Sequence, residues 1–186
     1  MQKLLEDLLS RLVTADALQQ EYERVGLLLS LVIEKHSKLR SPETMYAELL
    51  PTSYREIQLA ESEYVALVTK VSQMLVLPTL PTASQNALIF ALGGTDDTTL
   101  QWTVPAIVHF LSARHEKRLQ LHAVRCLRKL LSEPEILRQN SVQIRAALPP
   151  LSKVRRGLDQ SLPDHDERNQ AMATVDMLAR LLDTTG

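Results

Sequence analysis

The chain has 186 residues, 45% of them apolar, 23% charged and 4% aromatic, and its formal net charge is −1. This is globular composition, neither disordered nor fibrous. No apolar run approaches the roughly 20 residues that cross a bilayer, and acids interrupt the opening MQKLLEDLLSRL, where a secretory signal would be unbroken. The chain therefore reads as a soluble intracellular protein, cytoplasmic or nuclear, with no membrane partner.

Leu4, Leu5, Leu8, Leu9 and Leu12 recur at helical spacing and predict a short first helix. Thr14 to Asp16 supply cap-type residues for a long second helix, which carries Leu18, Tyr22, Val25, Leu29, Val32 and Leu39 on one face and ends near Arg40. Ser41-Pro42 opens a new helix, since proline at the first helical position loses an N–H that has no partner there anyway. Pro51 breaks the pattern, and the capping-box spacing of Ser53 and Glu56 predicts a restart that runs to about Leu77. The stretch LVLPTLPTAS, 75 to 84, holds two prolines and no helical spacing. It marks a corner or sub-boundary within one helical domain, 1–186.

Beyond it, NALIFALGG ends in a glycine pair typical of a helix C-terminus. DDTTLQWTVPAIVHFLSA follows, then a helix from about Glu116 to Leu131. Ser132 and Glu135, with Pro134 between them, again have capping-box spacing. Pro149-Pro150 interrupts, and a last helix from about Asp166 to Leu182 aligns Ala171, Val175, Leu178 and Leu182. The pattern predicts an all-α chain of roughly nine or ten helices joined by short turns. Low aromatic content and a Leu/Ala-rich core agree with helices rather than sheet. Helices this short must pack on their neighbours, as a globular bundle or as stacked pairs.

Residues 86 to 131, NALIFALGGTDDTTLQWTVPAIVHFLSARHEKRLQLHAVRCLRKLL, resemble armadillo or HEAT repeats: a helix with an internal proline, Pro105, then a tight turn, then a helix of the form LQLHAVRCLRKLL. The turn SARHEK lacks the aspartate common in HEAT turns, and the glycine pair leads straight to one helix where an armadillo repeat often inserts a short extra one. The resemblance implies an α-solenoid, or a compact stack of armadillo-like or HEAT-like helices. It further implies a scaffold or adaptor that holds peptides or other proteins on an extended face.

Charge is segregated along the chain. Residues 114–156 hold eleven Lys and Arg against three acids, while 1–113 stand at −5 and 157–186 at −4. On a helix from about Glu116 to Leu131, Leu119, Ala123, Cys126, Leu127 and Leu130 share one face. Arg118, His122, Arg125 and Lys129 form a stripe on another. Arg114, Arg155 and Arg156 would extend that stripe, together with Arg138, Arg145 and Lys153, if successive helices stack. Clustered cations without neutralising partners concentrate anionic ligands. Solvated polar faces and pairing with the flanking acids are the competing readings. An acidic protein segment needs only Arg and Lys in a groove. Nucleic acid is the alternative, although no Phe, Tyr or Trp falls between 114 and 156 to stack a base. Trp102 reads as a packing residue.

No residue set supports catalysis, a cofactor or a metal. Asp164, His165, Asp166 and Glu167 crowd PDHDER, but carboxylates before a helix cap its N–H groups. Asp96-Asp97 reads the same way. The five histidines lack HExxH or paired spacing, and no G-x-S-x-G, P-loop or dinucleotide fingerprint occurs. Cys126, the single cysteine, falls on an apolar helix face, which disfavours a reactive thiolate.

Overall fold

In a computed structural model, which describes residues 3–13, 19–37, 50–112, 115–132 and 134–183, the periodic apolar faces become helices and no strand occurs among the described residues. The described helices are α1 (Lys3–Arg11), α2 (Gln19–His36), α3 (Thr52–Arg55), α4 (Glu61–Leu75), α5 (Thr82–Leu92), α6 (Leu100–His109), α7 (Lys117–Leu130), α8 (Pro134–Gln139), α9 (Ser141–Ala147), α10 (Leu151–Ser161) and α11 (His165–Asp183), with a 3-10 turn at Asp97–Thr99. The chain divides into two compact units, Met1–Thr99 and Leu100–Gly186. The proline-containing stretch 75–84 lies inside the first, where it joins α4 to α5.

In the first unit, Leu5, Leu8, Leu9 and Leu12 are buried, as are Tyr22, Val25, Leu29 and Val32 of α2. The expected caps at Thr14 to Asp16, Leu18, Leu39, Arg40 and the Ser41-Pro42 start lie outside the described residues. Helix α2 packs along α5 at very close range. A Cβ added to Gly26 would lie 2.7 Å from the Ala87 Cβ, and one added to Gly94 would collide with Glu34 Cγ. The pairs 26:87 and 34:94 advance together, so α2 and α5 run parallel. The hydroxyl of Ser84, in the first turn of α5, donates to the Leu12 carbonyl at 2.6 Å. Helix α4 packs on both partners and runs the opposite way. Tyr64, in its first turn, accepts at its hydroxyl oxygen a hydrogen bond from the Asp96 N–H, just past the end of α5, at 3.3 Å.

One local expectation is met in an unexpected way and one is corrected. The glycine pair does end α5, but no glycine among the described residues has positive φ. Gly93 has φ −65, and glycine at 94 answers to the Glu34 side chain rather than to a left-handed cap. The helix expected from Ser53 to Leu77 is broken at 56–60. Lys35 Nζ, at the end of α2, donates to the carbonyls of Arg55 and Ile57 at 2.6 and 2.7 Å. The Leu59 N–H donates to His36 Nε2 at 3.2 Å. These side chains satisfy backbone groups that an unbroken helix would have paired internally. Ile57 is buried at the break. Only half of a box forms further on, where Glu63 Oε2 accepts from the Ala60 N–H at 3.0 Å, because the methyl group of Ala60 has no acceptor to return the bond.

The second unit repeats the parallel arrangement. Lys117, opening α7, pairs with Glu167 near the start of α11 at 2.7 Å. Arg128 and Leu131, at the other end of α7, share a depression with Thr174 and Met177 of α11. Helices α7 and α11 therefore run parallel. Helix α10 opposes α11, because Asp159 meets Arg168 at 3.7 Å while Arg155 meets Asp176 at 3.4 Å. Ser161, ending α10, donates through its hydroxyl to Gln120 Oε1 of α7 at 3.0 Å, and Gln120 Nε2 donates to the Ser112 carbonyl at 2.7 Å. Phe110, Leu119, Leu127, Leu158, Ala171, Val175, Leu178 and Leu182 are buried in this unit. Pro105 stands inside α6, as expected. The break after Ser132 is present without a capping box: Ser132 Oγ donates to the Lys129 carbonyl at 2.6 Å, and Glu135 pairs with Arg138 at 2.6 Å. The serine still serves the end of α7, and the glutamate is taken by an arginine one turn on.

Candidate functional site

Helix α7 separates its faces as its sequence predicts. Leu119, Ala123, Val124, Cys126, Leu127 and Leu130 are buried. Lys117, Arg118, Arg125, Arg128 and Lys129 are exposed, and Leu121 and His122 are half-buried between them. The structure thus brings Arg118, His122, Arg125 and Lys129 onto one outward face, and Arg114 lies outside the described residues.

The neighbours of these cations differ. Lys117 is held by Glu167, and that hydrogen bond is the main reason its pKa lies above the ordinary lysine value. Arg138 pairs with Glu135, Arg145 with Asp183 at 3.4 Å, and Arg155 with Asp176. Acids of the C-terminal flank thus neutralise part of the basic segment. Among the described residues, no acid lies within ion-pair distance of Arg118, Arg125 or Arg128. His122 sits between Arg118 and Arg125. Burial pushes its pKa below the ordinary histidine value, and the two guanidinium groups push it further the same way.

Arg155 and Arg156 are both exposed on α10, where they line a depression of about 530 Å³ against Met172 and Ala179 of α11. Arg128 lines another, of about 310 Å³, against Gln170 and Met177. At about 100° per residue, Gln170 and Met177 fall on the flank of α11 opposite Met172 and Ala179. The residues grouped along the sequence are therefore divided in space by α11, with Arg118, His122 and Arg125 on one helix and Arg155 and Arg156 across it.

Arg128 was absent from the stripe as read along the sequence because it falls one row over. Its signal is the i, i+11 relation to Lys117, which places both on the flank facing α11. Met177 is 49% exposed, and it falls outside the apolar series Ala171, Val175, Leu178 and Leu182. Trp102 is half-buried on α6.

The acidic cluster at 164–167 acts on the helix end. Asp164 Oδ1 accepts the Glu167 N–H at 2.9 Å, and that bond above all holds its carboxyl below the ordinary aspartate value. Cys126 is buried, and its thiol is pushed up to about 12. Among the described residues, no group of three or more His, Cys, Asp or Glu is placed to hold a metal ion, and no helix is long and apolar enough to cross a membrane. No family model matches the chain, and neither curated proteins nor solved structures give a match to it.

Proposed function

We propose that this chain is a non-enzymatic protein-interaction module, built as an armadillo-like or HEAT-like helical stack, that binds an acidic segment of a partner on the outward face of α7. The observation that carries the reading is the contrast among its cations: Lys117, Arg138, Arg145 and Arg155 have acidic partners, whereas Arg118, Arg125 and Arg128 have none among the described residues. Exposed guanidinium groups without a carboxylate offer paired donors to an incoming one. Support for the stacked arrangement comes from its recurrence: a parallel pair, α2 with α5 and α7 with α11, with a third helix running opposite, α4 in one unit and α10 in the other.

The test is binding of fluorescein-labelled poly-glutamate and of a labelled DNA duplex, each at about 50 and about 200 mM salt. The double variant R118E/R125E reverses two exposed charges and leaves the core intact. It should weaken poly-glutamate binding by about tenfold or more at unchanged thermal stability. Unchanged affinity would remove this face from the reading. Duplex binding tighter than peptide binding, and collapsing across that salt range, would move the chain into the phosphate-binding class.

A further inference from the structure

The depression between α7 and α11 adds an apolar element to the cationic face. Arg128, Leu131 and Ser132 form one wall, and Gln170, Ala173 and Met177 part of the other. Leu131 is buried, Ala173 is exposed and Met177 is half-exposed. The opening is therefore a shallow apolar trough with a guanidinium on its rim. Its volume, about 310 Å³, admits a large aliphatic or aromatic side chain. Arg128 is exposed, and Arg125 stands one helical turn before it along the same helix. Neither has an acidic partner among the described residues. Methionine suits such a trough because its unbranched, polarisable chain adapts to different apolar shapes.

We infer that the partner segment is amphipathic: it seats one large apolar side chain in the trough between α7 and α11 and sets carboxylates beside that side chain against Arg128 and Arg125. This rests on the proposed binding role of α7 and narrows it. A uniformly acidic tail would use the cations and leave the trough wet, whereas an acidic segment with a buried leucine or phenylalanine uses both. Charge complementarity decides the occupant, since a wholly apolar segment would gain nothing from the arginine rim.

Two labelled peptides of about twelve residues with the same number of glutamates separate the ideas, one with a central Leu and Phe and the other with Ser at both places. The apolar peptide should bind about tenfold more tightly than the serine peptide at about 150 mM salt. A173W, which fills the trough from an exposed position, should erase that difference and leave binding of the serine peptide unchanged. R128E should weaken both peptides. Equal binding of the two peptides by the unmodified protein would overturn the trough and leave the basic face standing. Failure of both peptides to bind even at about 50 mM salt would overturn both readings. A concentration-dependent dimer, seen by sedimentation and dissolved by A173W, would assign the trough to a second copy of the chain and overturn the amphipathic-segment assignment.

Discussion

Gly26→Ala is the substitution for which local propensity and packing disagree in sign. Alanine is favoured over glycine inside a helix by about 1 kcal/mol, so a surface position in α2 would gain stability from the change. Gly26 faces α5, where the new Cβ would lie 2.7 Å from Ala87 Cβ and 2.9 Å from both the Ala87 Cα and its carbonyl oxygen. Apolar carbons rest at about 3.5–4.0 Å, so the helices would have to part locally by about 1 Å. Two of the three contacts are backbone, which no rotamer change relieves. Forced separation of packed helices costs about 1–3 kcal/mol and also weakens the contacts that flank the site. After the propensity gain, a net loss of up to about 2 kcal/mol is expected. Urea unfolding followed by far-UV circular dichroism measures it, and the cycle with Ala87→Gly isolates the contact, because G26A should cost less in the A87G background than alone. A stabilised G26A, or a double variant whose effects simply add, would refute close packing of α2 on α5.

Two further outcomes follow from one half-buried and one buried titratable group. His36 Nδ1 lies 2.8 Å from the Val32 carbonyl and its Nε2 accepts the Leu59 N–H, so the ring is neutral with the proton on Nδ1. Burial is the first cause of its lowered pKa, and the unfolded chain binds its proton more readily, near pH 6.5. Stability therefore rises with pH across the interval between the two values: His36's contribution is complete above about pH 6.5 and is lost as pH falls toward the folded value. The urea midpoint should drop more between pH 7.5 and 5.5 in the native sequence than in H36Q, and parallel profiles would contradict the assignment. Cys126, buried and shifted up to about 12, should resist a thiol-disulfide reagent at pH 8 until denaturant is added. Prompt labelling of the folded protein would mean that the α7 core opens.

The helices were legible because their apolar residues keep one period. Leu5 to Leu12, Tyr22 to Val32, Leu119 to Leu130 and Ala171 to Leu182 mark faces that the core then buries. What escaped was settled by partners far away in sequence. Ser53 and Glu56 have the spacing of a capping box, yet Lys35 and His36 of α2 hold the chain open just beyond them. Gly93-Gly94 reads as a helix stop whatever its cause, and Glu34 becomes the reason for glycine at 94 only once α2 lies beside α5. The cationic stripe of α7 could be read from a single helix wheel. Its separation from Arg155 and Arg156 could not, because that depends on which flank of α11 each helix occupies. The pairing of Arg145 with Asp183 joins residues 38 positions apart and is equally invisible to local pattern.

That division of charge sets how many ions a binding event sheds. The linear segment 114–156 carries eleven basic side chains, and if all faced one polyanion the logarithm of affinity would fall against that of salt with a slope of about ten. Carboxylates already occupy several of them, and α11 stands between those that remain on α7 and those on α10. A duplex lying on α7 would lose condensed cations chiefly to Arg118, Arg125 and Arg128, which corresponds to a slope of about three. On the proposed binding role, such a surface would keep much of its grip at cellular ionic strength and would disfavour long polyanions that depend on many simultaneous contacts, leaving selectivity to the short-range fit around the arginines.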